Sequence, residues 1–286
     1  MVLLGASNLT RGIATVLETA RAILGSPVDV LAALGHGRSF GGRSWLLGRS
    51  LPGIRECGIW RALESRRESR RESRTQSRTE SGTESRTKPG TASTTESGTE
   101  FGTGAATFAL VTDVGNDVGY GQPVPDIIRW VGECLECLSA VEARTILTLL
   151  PVASLESLPA WKYHVARTIF FPRSRLSQAE ALSRVRDLDA RLRELGARTG
   201  AVLVEPEPAW YGLDPIHVRR RRWGEVWGKI LGGWRPEVDP PRVRVPLLRA
   251  LSLLLLRPEE WRFLGLERRR AQPAATFRDG TTVELY

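Results

Sequence analysis

The sequence predicts an α/β fold, a single three-layer α/β/α domain around a central parallel sheet of about five strands. Three observations predict it. Short apolar runs alternate along the chain with longer segments of helical periodicity. The runs are apolar throughout rather than at every second residue, as expected of strands covered on both faces by helices. The 286 residues, 41% of them hydrophobic, suffice for one sizeable core with an appendage.

The elements follow in order. Val2–Leu4 is a short apolar run stopped by Gly5, a buried first strand. Residues 10–24 place Ile13, Val16, Leu17, Ala20 and Leu24 on one helical face. Residues 28–34 read as the second strand and 107–112 (TFALVT) as the third. Residues 125–138 are helical. Residues 145–150 (TILTLL) form a fourth strand stopped by Pro151. Residues 177–195 are a strongly charged amphipathic helix closed by Gly196. Residues 201–204 form the fifth strand and 218–231 the last helix, with a buried stripe of Trp223, Val226, Trp227 and Ile230.

Two segments differ in texture. Residues 64–103 repeat a tetrapeptide (ESRR ESRR ESRT QSRT …) nearly free of apolar side chains, which cannot offset its chain entropy by burial and reads as a disordered insert. Its charges nearly cancel. The domain is thus expected to span 1–63 and 104–239. The remainder, 240–286, reads as a C-terminal appendage packing on the core, with a short amphipathic helix over 245–256 and a hairpin turn at Asp279-Gly280.

Composition narrows the function. A net charge of +9 favours loose attraction to polyanions and says nothing of chemistry. Three cysteines do not make a disulfide framework. Cys134 and Cys137 form a C-x-x-C inside an apolar helical pattern without a second pair, which reads as two small buried side chains rather than a metal or redox site. No cofactor or metal is expected. Neither a basic leader nor a run of about 18 apolar residues is present. The expectation is a cytoplasmic protein without a membrane span, with the reservation that an upstream segment is missing if the first strand truly begins at residue 2.

In such sheets the ligand site lies outside the carboxyl ends of the strands. Gly5-Ala6-Ser7-Asn8 follows the first strand and Gly35-His36-Gly37-Arg38-Ser39 the second. Asp113-Val114-Gly115-Asn116-Asp117 follows the third, and Asp214-Pro215-Ile216-His217 comes after the fifth. A hydroxyl, a glycine loop, an amide and an Asp-x-x-His thus gather on one rim. A serine becomes a nucleophile when an adjacent base takes its proton. His217 supplies the base, and Asp214, three residues earlier, fixes its tautomer. The tetrahedral intermediate needs donors, which the N–H groups of Ser7 and Gly37 and the Asn116 amide would supply.

These blocks resemble the SGNH hydrolase superfamily, the GDSL-like lipases and esterases. Gly5-Ala6-Ser7 matches the G-D-S block, Gly37-Arg38-Ser39 the glycine block, Val114-Gly115-Asn116-Asp117 the G-x-N-D block, and Asp214–His217 the D-x-x-H block. The resemblance covers residues 2–234 apart from the insert. It implies a flavodoxin-like three-layer fold and ester hydrolysis or deacylation of a small acyl-ester substrate without a metal. Ala6 stands where the family has Asp, and Val114 where it has Gly.

Each residue also has a plainer reading. Ser7, Asn8 or Thr10 serves as a helix cap, Asp214 as the cap of the last helix ahead of Pro215, and Asn116 as a turn residue. Asp117 is expected to brace its loop. His36 either contacts substrate or holds the loop, and Arg38 and Arg43 are candidates to read an acidic substrate group. His164 reads as packed or surface-exposed. Arg219 to Arg222 would point all round the last helix, a solvated basic face rather than a specific nucleic-acid site. Two other functions stay open, a catalytically inactive binding module of this fold and a basic binder of nucleic acid or anionic surfaces. The oligomeric state is not legible.

Overall fold

A computed structural model describes residues 1–46, 48–83, 106–239 and 243–286. The first half of the chain forms β1 (Val2–Leu4), α1 (Ser7–Leu24), β2 (Asp29–Ala33), β3 (Ser44–Leu46), β4 (Arg49–Leu51), α2 (Ile59–Thr83), β5 (Phe108–Val111), α3 (Asn116–Gly119), α4 (Val124–Ser139) and β6 (Arg144–Thr148). The second half forms α5 (Val152–Glu156), α6 (Ala160–Phe170), α7 (Gln178–Thr199), β7 (Val202–Val204), α8 (Trp223–Gly232), α9 (Leu247–Leu254), β8 (Glu260–Phe263), β9 (Leu266–Arg269), β10 (Ala275–Thr276) and β11 (Thr282–Leu285).

The α/β expectation holds, with a larger sheet. Among the described residues the central sheet has seven strands in the order β10-β11-β2-β1-β5-β6-β7. All neighbours pair in parallel except β10 with β11. The five strands read from the sequence are its middle and one side. The strand alternation sends Val2 and Leu4 to one face and Leu3 to the other. On the first face α4 packs against α7 around Ile127, Val131, Leu188 and Leu192. On the second α1 packs against α8 around Val16, Leu17, Trp227 and Leu231. Gly12 permits the close approach there, since a Cβ would run into the Trp227 indole.

The C-terminal segment is part of this sheet, which corrects its reading as an appendage. Strand β11 extends the sheet beside β2, in register from Thr282 opposite Asp29 to Leu285 opposite Ala32. The Asp279-Gly280 turn does join β10 to β11, and α9 does form, anchored by buried Leu253. Strands β8 and β9 join β4 and β3 in a second, antiparallel sheet in the order β3-β4-β8-β9.

Two further boundaries move. Helix α7 runs through Gly196, where Leu203 packs too close for a Cβ, and ends at Gly200 in the left-handed region (φ 68°). Helix α2 continues past residue 63 into the repeat read as disordered. Its early turns are held by Arg66 to Glu284 at 2.6 Å and by Arg70 donating to Thr107 at 3.1 Å. Residues 84–103 of the insert lie outside the described residues. Cys134 is buried as expected, but Cys137 is exposed, and Cys57, Cys134 and Cys137 are all free thiols. Among the described residues no helix is long and apolar enough to cross a membrane.

Candidate active site

Strand β1 ends at Leu4, and the chain turns through Gly5 and Ala6 so that Ser7 is the first residue of α1. Gly5 lies against Thr112 and Leu9, leaving no room for a Cβ. The opening of α1 carries N–H groups without partners inside the helix. Asp113, just beyond β5, answers them. Its Oδ2 accepts from the backbone N–H groups of Ala6 (2.9 Å), Asn8 (3.0 Å) and Leu9 (3.2 Å). Asp113 sits in the left-handed region (φ 61°), which Asp tolerates better than most residues. A carboxylate at a helix N-terminus also complements the helix dipole.

Asn8 carries the connection onward. Its Nδ2 donates to Asp113 Oδ1 (2.8 Å) and to the Ile216 carbonyl (2.9 Å), and its Oδ1 accepts from the Val218 N–H (2.8 Å). One amide therefore ties the Ser7 turn to the Asp113 loop and to the loop carrying His217. The distances in that last loop are short. His217 Nε2 lies 2.8 Å from Ser7 Oγ, and His217 Nδ1 lies 2.6 Å from Asp214 Oδ2. Asp214 Oδ1 accepts from the N–H groups of Ile216 (3.2 Å) and His217 (3.1 Å), so the carboxylate folds its own loop around the imidazole. Asp214 is not the cap of the last helix. The short 3₁₀ turn Arg220–Arg222 intervenes, and α8 begins only at Trp223. Burial pushes the Asp214 carboxyl up, but the hydrogen bond and charge of His217, with the two backbone donors, outweigh it and hold the group below its ordinary value.

Ser7 and His217 are both buried, with 8% and 9% of their surface exposed. The edge of Phe170, at the end of α6, closes on His217 with ring centroids 4.9 Å apart. With Nδ1–H donated to Asp214, Nε2 is left as an acceptor for the Ser7 hydroxyl. The arrangement can take a proton from the hydroxyl and return it to a leaving group.

Gly37 is in the left-handed region (φ 64°), and its carbonyl accepts from the Tyr120 hydroxyl at 2.6 Å. This bond fixes the glycine turn to the residue that follows α3, whose first residue is Asn116. Asp117 braces the same junction, accepting from the Phe40 N–H at 2.9 Å. Burial raises the Asp117 carboxyl to about 6, with hydrogen bonds from Ser39 and Phe40 opposing the rise. His36 stands exposed at the rim. Burial of part of its ring, then the nearby charges of Arg11 and His217, lower its pKa.

Arg38 does not face substrate, contrary to expectation. It is fully buried, with Nε donating to the Pro52 carbonyl (3.1 Å) and Nη1 to the carbonyls of Leu34 (3.2 Å) and Tyr286. Those carbonyls substitute for the water a guanidinium would otherwise keep. Arg43 is engaged by Glu260 at 2.9 Å. His164 is exposed on α6. Among the described residues no cluster of three or more His, Cys, Asp or Glu is placed to hold a metal ion.

An apolar cavity of about 150 Å3 is lined among others by Asn8, Asn116, Leu149, Leu155, Phe170 and Ile216. Sequence reasoning gave Asn8 only a capping role and Asp113 none. The one available signal was the missing carboxylate at residue 6, which called for another acid nearby.

No family model and no curated protein matches the sequence. Among solved structures the chain is similar to the psychrotrophic esterase EstA from Pseudoalteromonas sp., inhibited by monoethylphosphonate. That match has 12% identity, 82% of this chain and 96% of that chain covered, and a TM-score of 0.42. The chain is also similar to TesA, at 13% identity, with 83% of this chain and 100% of that chain covered and a TM-score of 0.41.

Proposed function

We propose that this protein is a serine ester hydrolase of the SGNH kind, with Ser7 as nucleophile, His217 as general base and acid, and Asp214 as the group that orients it. The observation that carries the reading is the continuous hydrogen-bonded line from Ser7 Oγ through both nitrogens of His217 to Asp214 Oδ2, at 2.8 and 2.6 Å. In this reading Ser7 Oγ attacks the acyl carbonyl while its proton passes to Nε2. Charge developing on the carbonyl oxygen is met by the N–H groups of Ser7 and Gly37 and by the Asn116 amide. The C–O bond of the ester then breaks, and the alcohol leaves with the proton from Nε2. Water, activated by the same imidazole, attacks the acyl-serine and regenerates Ser7. The acyl group would lie in the apolar cavity beside Phe170 and Asn116. The blocks that resemble the SGNH superfamily support the same assignment. An inactive binding module would have no use for the buried, fully connected triad.

Phenyl acetate hydrolysis and labelling by a fluorophosphonate test the reading. Ser7→Ala and His217→Ala should each lose at least about a thousand-fold in kcat/KM. Both should lose the label while melting within a few degrees of the wild type. Unlabelled, inactive wild-type protein with a cooperative melt would refute it.

A further inference from the structure

A second cleft, of about 600 Å3, shares no lining residue with the apolar cavity. It begins at Thr10, one turn along α1 from Ser7, and at Gly35 and His36, immediately before Gly37. One wall is the small antiparallel sheet, and its register decides which side chains face inward. Arg49 lies opposite Phe263, and Trp261 opposite Arg268. Alternation therefore puts Arg49, Phe263, Trp261 and Arg268 on one face, and all four line the cleft. The neighbouring cross-strand pair Arg262–Glu267 points to the opposite face and neutralises itself at 2.6 Å. Across the cleft α9 and the residues after it contribute Leu253, Leu254 and Arg257.

Charge is distributed unevenly here. Arg43, Arg249 and Arg262 nearby each meet a carboxylate. Among the described residues Arg49, Arg257 and Arg268 meet none, and no Asp or Glu lines the cleft. The Arg49 guanidinium lies over the Trp261 ring, 5.8 Å from its centroid, and its Nε is buried without a hydrogen-bond partner. An orphaned buried donor beside unpaired like charges is costly unless something anionic completes it. Burial, and then the Arg257 charge, lower the Arg49 pKa.

We propose that this cleft binds the alcohol half of the ester substrate, and that this half carries a carboxylate or phosphate on an apolar or aromatic body. The anion would sit among Arg49, Arg257 and Arg268, with its body against Trp261, Phe263 and Leu253. The geometry divides the substrate at Ser7, with the acyl part toward Phe170 and the leaving group toward His36. This assignment of substrate class rests on the esterase reading, but the binding of an organic anion does not.

Two measurements separate the two claims. In the first, octyl phosphate, octanoate and neutral octanol are titrated into Ser7→Ala protein by calorimetry. One or both anions should bind, octanol should not, and Arg49→Gln/Arg257→Gln in the same background should weaken the anion about tenfold or more. Comparing the two anions tells phosphate from carboxylate. In the second, hydrolysis of 4-acetoxybenzoate and 4-acetoxyphenyl phosphate is compared with that of phenyl acetate. An anionic ester should show the lower KM, the advantage should shrink with added salt, and the double arginine variant should abolish it through KM rather than kcat. Anion binding without turnover of any ester would leave the cleft standing and defeat the esterase reading. Equal binding of octanol and the anions, binding indifferent to the arginine variant, or turnover of all three esters with one KM would overturn the cleft proposal.

Discussion

In the proposed mechanism Asn8 gives no atom to the proton transfer, yet its amide holds the Ser7 turn against the loop of His217. Cutting that amide should let Ser7 and His217 drift apart by a fraction of an ångström. We expect Asn8→Ala to lower kcat by about 10- to 100-fold, to slow fluorophosphonate labelling in proportion and to leave KM nearly unchanged. Asn8→Asp should be worse, because it sets a second carboxylate against Asp113. Unchanged labelling in Asn8→Ala would rule out the positioning role. Asp117 permits a prediction with a sign. Its folded-state value is raised from 3.8 to about 6. Between those values the native chain holds a proton that the unfolded chain releases, so rising pH through this window favours unfolding. Asp117→Asn keeps an acceptor for Phe40 and removes the ionisation. Its stability relative to the wild type should therefore increase from pH 4 to pH 6 and then level off, by on the order of 2 kcal/mol. Urea melts at pH 4.5 and 7 would read the difference, and a shrinking gap would contradict it. At this scale the sequence is legible where polar residues stand after strand ends, as with Ser7, Asp214 and His217, which the structure brings within hydrogen-bond distance. It is not legible where a polar group is satisfied from afar. Asp113 meets Ala6 across 107 residues and Arg38 meets Tyr286 across 248. Nothing local marks either pairing.

Between elements, α1 packs closely on α8. Trp227 is fully buried, and its indole lies where a side chain at residue 12 would begin. Gly12→Ala raises helix propensity, but it forces either the helices apart or Trp227 off its rotamer. The second effect should win, with a net loss of about 1–3 kcal/mol in a denaturant melt. A gain in stability would mean that α8 gives way easily. Since α1 begins at Ser7, catalysis should fall with it. Helices α1, α4 and α7 were readable because each buries one stripe, and the periodicity marks it. Their ends were less so. Gly196 has the look of a terminator, but Leu203 explains it as a contact, and Gly200 performs the termination. The charged start of α2 escapes pattern reading because what holds it, Glu284 and Thr107, belongs to other parts of the chain.

At the scale of the molecule, the layered architecture follows from alternating apolar runs and amphipathic segments. The extent of the sheet does not. Strand β11 reads Thr-Val-Glu-Leu, with burial alternating along it, so it lacks the unbroken apolar texture of the central strands. The small sheet is hidden for a related reason, since its strands are short, three of the four carry charged residues, and its two local hairpins, β3–β4 and β8–β9, join each other from distant parts of the chain. Both features shape the site from outside. β11 supplies Val283 and Leu285 to the arginine-lined cleft, and the small sheet supplies its aromatic wall.

The pairing of β11 with β2 also bears on how the chain is made. Asp29 and Thr282 meet across 253 residues. During synthesis β2 emerges long before β11, and its outer edge has no partner until the segment that forms β11 has followed. Contacts of such sequence separation form late, and an unpaired strand edge is a template for pairing with other chains. A ribosome-bound intermediate would carry the nucleophile turn, β1 and β2 early, but with one flank open and the Arg38 guanidinium short of its Tyr286 acceptor. Newly made protein would then be most vulnerable to self-association just before β11 arrives, and translational pausing in that stretch would prolong the exposure.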